Sequence, residues 1–287
     1  MEGPSIVILV EESRKFIGEQ VKECAGSSKV IDPKALCGQK LLDLKSWGKH
    51  FLMIFEKQVF RVHFLLFGSY RIDEARPDLA PRLSLRFRSG EISFYACSIR
   101  ELTEPLATLY DWKIDVMSPS WSEEAVIKKL QKKSDAMVCD ALLDQEIFAG
   151  AGNIIKNEVL YRMLLQPTTR LRTLTHLELR LLARETRLYS LQFYVWKRQY
   201  LLRKNWLIFR QKNCPVCGTE VARESTGVRN RRSFYCPVCQ KSRKTLIRSK
   251  INEKAVGARL AQAADQIIAL QEQLPLIPER GGVEREH

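Results

Sequence analysis

An α+β multidomain protein is what the sequence predicts: an N-terminal β-sandwich with a helix at its start, a middle built of helices, and a small C-terminal cysteine-rich finger. Three observations carry that expectation. Short β-rich runs recur between turn residues in the first third, helical periodicities replace them after Pro119, and two Cys-x-x-Cys pairs follow near residues 214–239. The boundaries read from these shifts are 1–115, 120–211, 212–240 and a basic, amphipathic tail over 241–287.

In the first segment, residues 6–17 carry an apolar pattern that reads as a helix ending at Gly18, with Glu2 at its start, where the helix dipole favours a carboxylate. Residues 21–30, 40–45, 51–55, 59–66, 83–87 and 92–97 are the β-rich runs, punctuated by Gly48, Gly68 and Ser89-Gly90. Beyond Pro119, Ser122-Glu123-Glu124 opens a helix, residues 140–148 form another, and Gly150-Ala151-Gly152 ends it. Asn153 starts a helix to about Leu165, and residues 173–198 hold a further one dense in Leu and Arg. A helix, Gly-turn, helix element offers backbone N–H groups to phosphate, although an ordinary helical hairpin has the same signature. Val256, Leu260, Ala263, Ile267, Leu270 and Leu274 mark one face of a last helix, expected to dock on its own domain rather than on a partner.

Cys214, Cys217, Cys236 and Cys239 form two knuckles with 18 residues between them, a spacing that presents four thiolates to one tetrahedral ion. One structural Zn2+ is therefore expected. Such a closed site holds a fold and does no chemistry. The loop it pins carries Arg223, Arg229, Arg231 and Arg232 beside Phe234 and Tyr235. That combination suits insertion into a nucleic-acid groove; a solvated basic hairpin is the plainer reading.

The 287 residues carry 47 Lys and Arg against 33 Asp and Glu, a net charge of +14, so a polyanionic partner is expected. No apolar run approaches the length of a membrane-spanning helix, and the start lacks a signal-peptide pattern. Cys24, Cys37, Cys97 and Cys139 are scattered, as in a reducing compartment. The expectation is a monomer that binds no membrane, working in the cytoplasm of a bacterial cell and associated with its nucleoid.

Four dispersed matches make the sequence resemble the formamidopyrimidine-DNA glycosylase and endonuclease VIII family: Glu2-Gly3-Pro4, Gly48-Lys49, Asp144-Gln145 through Gly150-Ala151-Gly152-Asn153 with Glu158, and the cysteine ribbon with Arg231 and Phe234-Tyr235-Cys236. The resemblance covers roughly residues 1–240. It implies a β-sandwich, a helix-two-turns-helix domain and a zinc finger around a DNA cleft. It also implies a DNA glycosylase with abasic-site lyase activity in base-excision repair, which flips a damaged base out of duplex DNA and forms a Schiff base at an N-terminal amine. By the same resemblance Glu2 handles protons at the sugar, and Lys49, Asn153 and Arg231 bind phosphate. Leu65, Leu66 and Phe67 match the loop that fills the hole left by the flipped base, where apolar wedges are apt. Without the match these three read as strand core.

The sequence departs from the family at the nucleophile, a proline directly before the glutamate. Here Met1 holds that place. Glutamate is a large second residue, so methionine retention is expected, with the Met1 α-amine as nucleophile. Ser5 replaces a glutamate that the family often carries. The segment 96–100 lacks in register the arginine and phenylalanine that the formamidopyrimidine branch uses opposite the lesion, and the segment 196–210 lacks that branch's glycine-rich capping loop. Both point to the endonuclease VIII branch and oxidised pyrimidines.

A different class of protein remains compatible: a noncatalytic damaged-DNA-binding clamp that has lost the proline. Glu2 favours the enzyme, because a bare clamp needs no such carboxylate. An RNA-binding ribbon protein rests on charge and ribbon alone. His50, His63, Trp196 and Trp206 read as packing residues, and nothing local suggests a reactive thiol at Cys97.

Overall fold

The computed structural model describes residues 1–28, 30–241 and 253–272. Helix α1 (Gly3–Ser13) runs into a 3-10 turn, Arg14–Phe16, with Pro4 in its first turn, where a missing N–H is harmless. It is buried on nearly every side. Ile6, Leu9 and Val10 enter the sandwich core while Val7 and Ile8 enter the helical core, which is why it lacks a polar face.

Eight strands follow: β1 (Glu23–Ala25), β2 (Leu41–Trp47), β3 (His50–Phe55), β4 (Val59–His63), β5 (Ser69–Ile72), β6 (Leu83–Phe87), β7 (Gly90–Tyr95) and β8 (Ser98–Leu102), with a one-turn helix α2 (Pro33–Leu36) after β1. They form two antiparallel four-stranded sheets, ordered β1-β6-β7-β5 and β2-β3-β4-β8. Phe51, Met53, Phe55 and Phe60 of one sheet meet Leu83, Leu85, Ile92 and Phe94 of the other, as the alternation predicts. The expected sandwich is present, but β5 and β8 were not among the expected strands. Both are short edge strands with mixed burial, so neither shows a period-two pattern. β1 is only three residues of the expected 21–30 run, because the chain turns at Gly26.

The middle segment contains α3 (Leu106–Leu109), α4 (Glu123–Lys132), α5 (Val138–Leu143), α6 (Asn153–Arg162) and α7 (His176–Arg198). Ser122 caps α4 by accepting the Ala125 N–H at 3.2 Å. A Thr175/Glu178 capping box starts α7. The helix expected over 140–148 ends instead at Leu143. Asp144 accepts the Glu146 N–H on its side chain at 3.1 Å and turns the chain. Strands β9 (Ala222–Thr226) and β10 (Arg231–Tyr235) form the finger hairpin. Helix α8 (Glu253–Gln271) packs on α7, with Ala263 buried and Ile267 and Leu270 against the helical core. Leu274 of its expected face lies outside the described residues. Among the described residues, no helix is long and apolar enough to cross a membrane.

Candidate functional site

The site grows from a seam where three backbone turns meet. The Gly3 N–H donates to the Gly150 carbonyl at 2.9 Å, and Gly48, at φ +54°, lies against Gly150 so closely that a Cβ would sit 3.0 Å from its nitrogen. Only glycine supplies both that conformation and that clearance. Gln145 holds the Gly150 turn, accepting the Gly150 N–H at 3.1 Å and donating to the Ala151 carbonyl at 3.1 Å.

At this seam Glu2 leaves α1 backwards and caps a different helix. Its Oε1 accepts the Ile154 N–H at 2.7 Å and its Oε2 the Ile155 N–H at 3.2 Å, so the carboxylate sits on the N-terminus of α6. A Cβ at Gly152 would overlap that carboxyl. Glu2 stands at the N-cap position of α1, at the helix start as expected, but its side chain makes no cap hydrogen bond to that helix. The Met1 amine adjoins Glu2. Burial lowers its proton affinity below the ordinary value of 8.0, Glu2 opposes that, and Lys49 and Lys197 add to it.

Lys49 follows Gly48 in the β2–β3 turn. Burial pulls its pKa down to about 8, Glu2 opposes this, and Arg231 and Arg229 push it further down. The turn is anchored by Asp115, wholly buried, which accepts the Gly48 N–H at 3.0 Å and the Met117 N–H at 2.8 Å. Burial raises the Asp115 pKa to about 6, offset in part by those bonds and by the buried Arg187. Among the described residues neither Lys49 nor Arg231 has an ion-pair partner, so cations outnumber anions here, as a phosphate-binding surface requires.

Helix α6 ties the seam to the finger. The Asn153 amide donates to the Arg232 carbonyl at 3.0 Å and leaves its own Oδ1 without a partner. Lys156, fully buried, donates to the same carbonyl and to Ser233 Oγ, and Asn157 accepts the Phe234 N–H at 2.8 Å. Glu158 accepts the N–H groups of Leu207, Ile208 and Phe209 and pairs with Arg162 at 2.5 Å. Asp140 of α5 receives Val228 and Arg229 N–H from the hairpin tip.

The β4–β5 loop projects Leu65, Leu66 and Phe67, which are 54%, 63% and 87% exposed. They are thus not strand core. Leu65 has φ +50°, a left-handed backbone that a branched side chain rarely adopts.

The sulfurs of Cys214, Cys217, Cys236 and Cys239 all lie within 4.8 Å of one another. The separations of 3.4, 3.5 and 3.8 Å between neighbouring sulfurs match the edge of about 3.8 Å that four Sγ atoms make around one tetrahedral ion. The four thiols therefore fit a metal ion.

Some expectations need correction. Phe234 and Tyr235 do not face a groove: both are buried, Phe234 against Phe209 with ring centroids 5.1 Å apart, and Tyr235 donating to Glu224. With Ser233 they form a run of three consecutive buried residues on a strand packed on α6. His50 and His63 pair across β3 and β4 with ring centroids 5.4 Å apart, and burial pushes His50 down to about 3, so they are neutral packing groups at neutral pH. Trp196 and Trp206 are packed as expected. Burial raises Cys97 to about 11, which fits an inert thiol. Sequence reasoning missed Asp115, Lys156, Asn157 and Lys197. Only the helical spacing of Asn153, Asn157 and Lys156 on α6 carried any signal for them.

Comparison with known proteins agrees with this geometry. Residues 114–189 match the formamidopyrimidine-DNA glycosylase H2TH domain. Endonuclease 8-like 3 of Xenopus laevis is 31% identical over 231 residues, which cover 76% of this chain and 38% of that protein. Endonuclease 8-like 2 of Bos taurus is 31% identical over 196 residues, 63% of this chain and 57% of that protein. The chain thus spans well under two thirds of the length of the curated relatives it matches. Formamidopyrimidine-DNA glycosylase of Lactococcus lactis, in a structure with abasic-site DNA, has a TM-score of 0.73 at 20% identity over 84% of this chain and all of that one. A viral DNA glycosylase has a TM-score of 0.72, also at 20% identity, with the same coverage of both chains. These distant likenesses show the fold. Fold, domain match and relatives together make the chain a member of the formamidopyrimidine-DNA glycosylase and endonuclease VIII family. These two curated relatives are vertebrate proteins, so they lend no support to the bacterial origin expected from the sequence.

Proposed function

We propose that this chain is a base-excision-repair DNA glycosylase that also cleaves abasic sites, through a Schiff base at the Met1 amine. The observation that carries the reading is the juxtaposition of that amine, with its lowered proton affinity, and a Glu2 carboxylate fixed by two backbone N–H groups. Lowered proton affinity favours the neutral amine, the form that attacks the sugar C1′. As the C1′–N bond to the base breaks, its electron pair leaves with the base, the nitrogen loses its proton, and the sugar ring opens to an imine. Glu2 carries the proton to and from the ring oxygen. Loss of a C2′ proton from the imine then expels the 3′ phosphate, and a second elimination expels the 5′ phosphate.

Lys49, Asn153 and Arg231 hold the phosphates of duplex DNA containing a damaged base or abasic site, and Leu65, Leu66 and Phe67 fill the vacated stack. The four cysteines hold one structural Zn2+, which supplies rigidity to the hairpin. The units are 1–115, 120–211 and 212–240, acting as a monomer. Oxidised pyrimidines are the favoured substrates, on the apolar wedge and the lack of a glycine-rich run in residues 196–210.

The test is single-turnover excision on duplexes carrying one oxidised pyrimidine or one oxidised purine. Release of the pyrimidine with strand cleavage supports the reading. Tight binding of the lesion duplex without base release or cleavage supports the alternative, a noncatalytic damaged-DNA clamp.

A further inference from the structure

Helix α6 touches the cysteine cluster directly. Tyr161, near its C-terminal end and about two turns beyond Ile154, places its hydroxyl 3.2 Å from Cys214 Sγ. Both residues are buried, in an apolar cluster with Ile208, Phe209 and Phe234. A tyrosine hydroxyl in such surroundings needs a partner, and this sulfur provides one. Either atom could donate while Cys214 is a thiol. Metal binding decides the direction, because a coordinated thiolate has lost its proton and the tyrosine O–H must then be the donor.

The four sulfurs differ in their access to water. Cys217 is exposed and Cys239 partly so, whereas Cys214 and Cys236 are buried. One Zn2+ among four thiolates leaves two negative charges in excess, and on a buried sulfur solvent does not relieve that charge. Each knuckle answers in part with its own backbone. Cys236 Sγ accepts the Cys239 N–H at 3.3 Å, and the Val216 and Cys217 N–H groups act on Cys214. Cys214 has in addition a donor from outside the finger. The second knuckle is fastened to the same end of α6, since the buried Gln240 accepts the Cys236 N–H at 2.9 Å and donates to the Leu165 carbonyl at 2.8 Å.

We infer that Tyr161 is a positioning residue for the metal: its O–H donates to the Cys214 thiolate and thereby slows the loss of zinc from the finger. The inference rests on the four-cysteine zinc reading and adds to it a hold on the ion from the helical domain. Helix α6 then carries Glu2 at its N-terminus and a zinc ligand near its other end.

The experiment compares zinc-loaded Tyr161→Phe and Tyr189→Phe with the parent protein. Phenylalanine keeps the Tyr161 ring in its cluster and removes only the oxygen. Tyr189 of α7 is buried with a hydroxyl that has no hydrogen-bond partner, so it controls for the loss of a buried hydroxyl. The first readout is the rate at which excess chelator withdraws the zinc. The second is the sulfur-to-metal charge-transfer absorption after Co2+ replaces zinc; a hydrogen bond lowers the energy of the sulfur lone pair and so moves that band to shorter wavelength. Tyr161→Phe should release zinc about tenfold faster and absorb at longer wavelength, while Tyr189→Phe should match the parent in both. Equal release by parent and Tyr161→Phe overturns the inference. Faster release with an unmoved band overturns it too, because Tyr161 then serves packing alone. A parent protein that binds no zinc overturns the four-cysteine reading and the inference with it.

Discussion

Glu2 and Ile154 are 152 residues apart in sequence, and the Glu2 carboxylate accepts the Ile154 N–H at 2.7 Å. The bond makes the N-terminus of α6 the cradle of the acid beside the amine. Gly152 gives that carboxylate its space. Gly152→Ala should therefore displace Glu2 and lower excision by about 10²-fold, comparable to losing a positioned acid–base group, while the circular dichroism spectrum stays that of the parent. Unchanged excision would mean that the carboxylate position is irrelevant.

On the proposed phosphate-binding role, Lys49 should make DNA affinity depend on pH. Its pKa near 8 in the free protein means that a phosphate must pull a proton back onto it. Affinity should then fall as pH rises above 8, by up to about tenfold per unit for one proton taken up. Lys49→Arg, charged throughout, should flatten that limb. Titrations of labelled duplex at constant salt between pH 7 and 9 measure it; equal slopes for parent and variant would remove Lys49 from the interface.

Asp115 gives a stability signature. Burial raises its folded pKa to about 6, above its unfolded value, so its contribution is present at low pH and is lost as pH rises through 6. The difference should reach about 1.4 kcal/mol per unit of pKa shift. Asp115→Asn removes the titration. The variant should therefore gain on the parent in urea unfolding from pH 4 to 7, even as the Gly48–Lys49 turn loosens. A gain in the opposite direction would mean that Arg187 holds Asp115 ionised.

On the proposed reading, the finger depends on a metal held by its four cysteines. Cys236 is fully buried among Tyr161, Cys214 and Phe234. Cys236→Ser, or chelation of the parent, should release one equivalent of zinc and free the β9–β10 hairpin from Asn157 and Lys156. Elemental analysis and hydrogen exchange of residues 222–235 measure both effects. One zinc per chain retained in the variant would contradict a four-cysteine site.

The cysteine knuckles, the sandwich and the capped helices were legible because each follows local rules of spacing, alternation and capping. Ser122 and the ribbon needed no tertiary information. Edge strands β5 and β8 were illegible because their mostly partial burial follows no period-two alternation. The catalytic candidates were legible only through resemblance, and their supports were not legible at all. Asp115 lies in an undistinguished Ile-Asp-Val run, and only folding carries it 67 residues away to the Gly48 N–H. The same holds for Phe234 and Tyr235. Their aromatic, basic neighbourhood suggested a groove, whereas contacts from distant segments, α6 and Phe209 for Phe234 and the facing strand's Glu224 for Tyr235, accompany their burial.

The central claim is that the Met1 amine is the nucleophile. Borohydride trapping of the purified protein on an abasic-site duplex, followed by mass spectrometry of the adducted peptide, tests it directly. The account predicts an adduct on the N-terminal nitrogen of Met1, forming at a rate that rises with pH and levels off at a lower pH than that of an exposed α-amine, because burial lowers the amine's proton affinity. An adduct on the Lys49 side chain, or none despite tight binding of the same duplex, would contradict it.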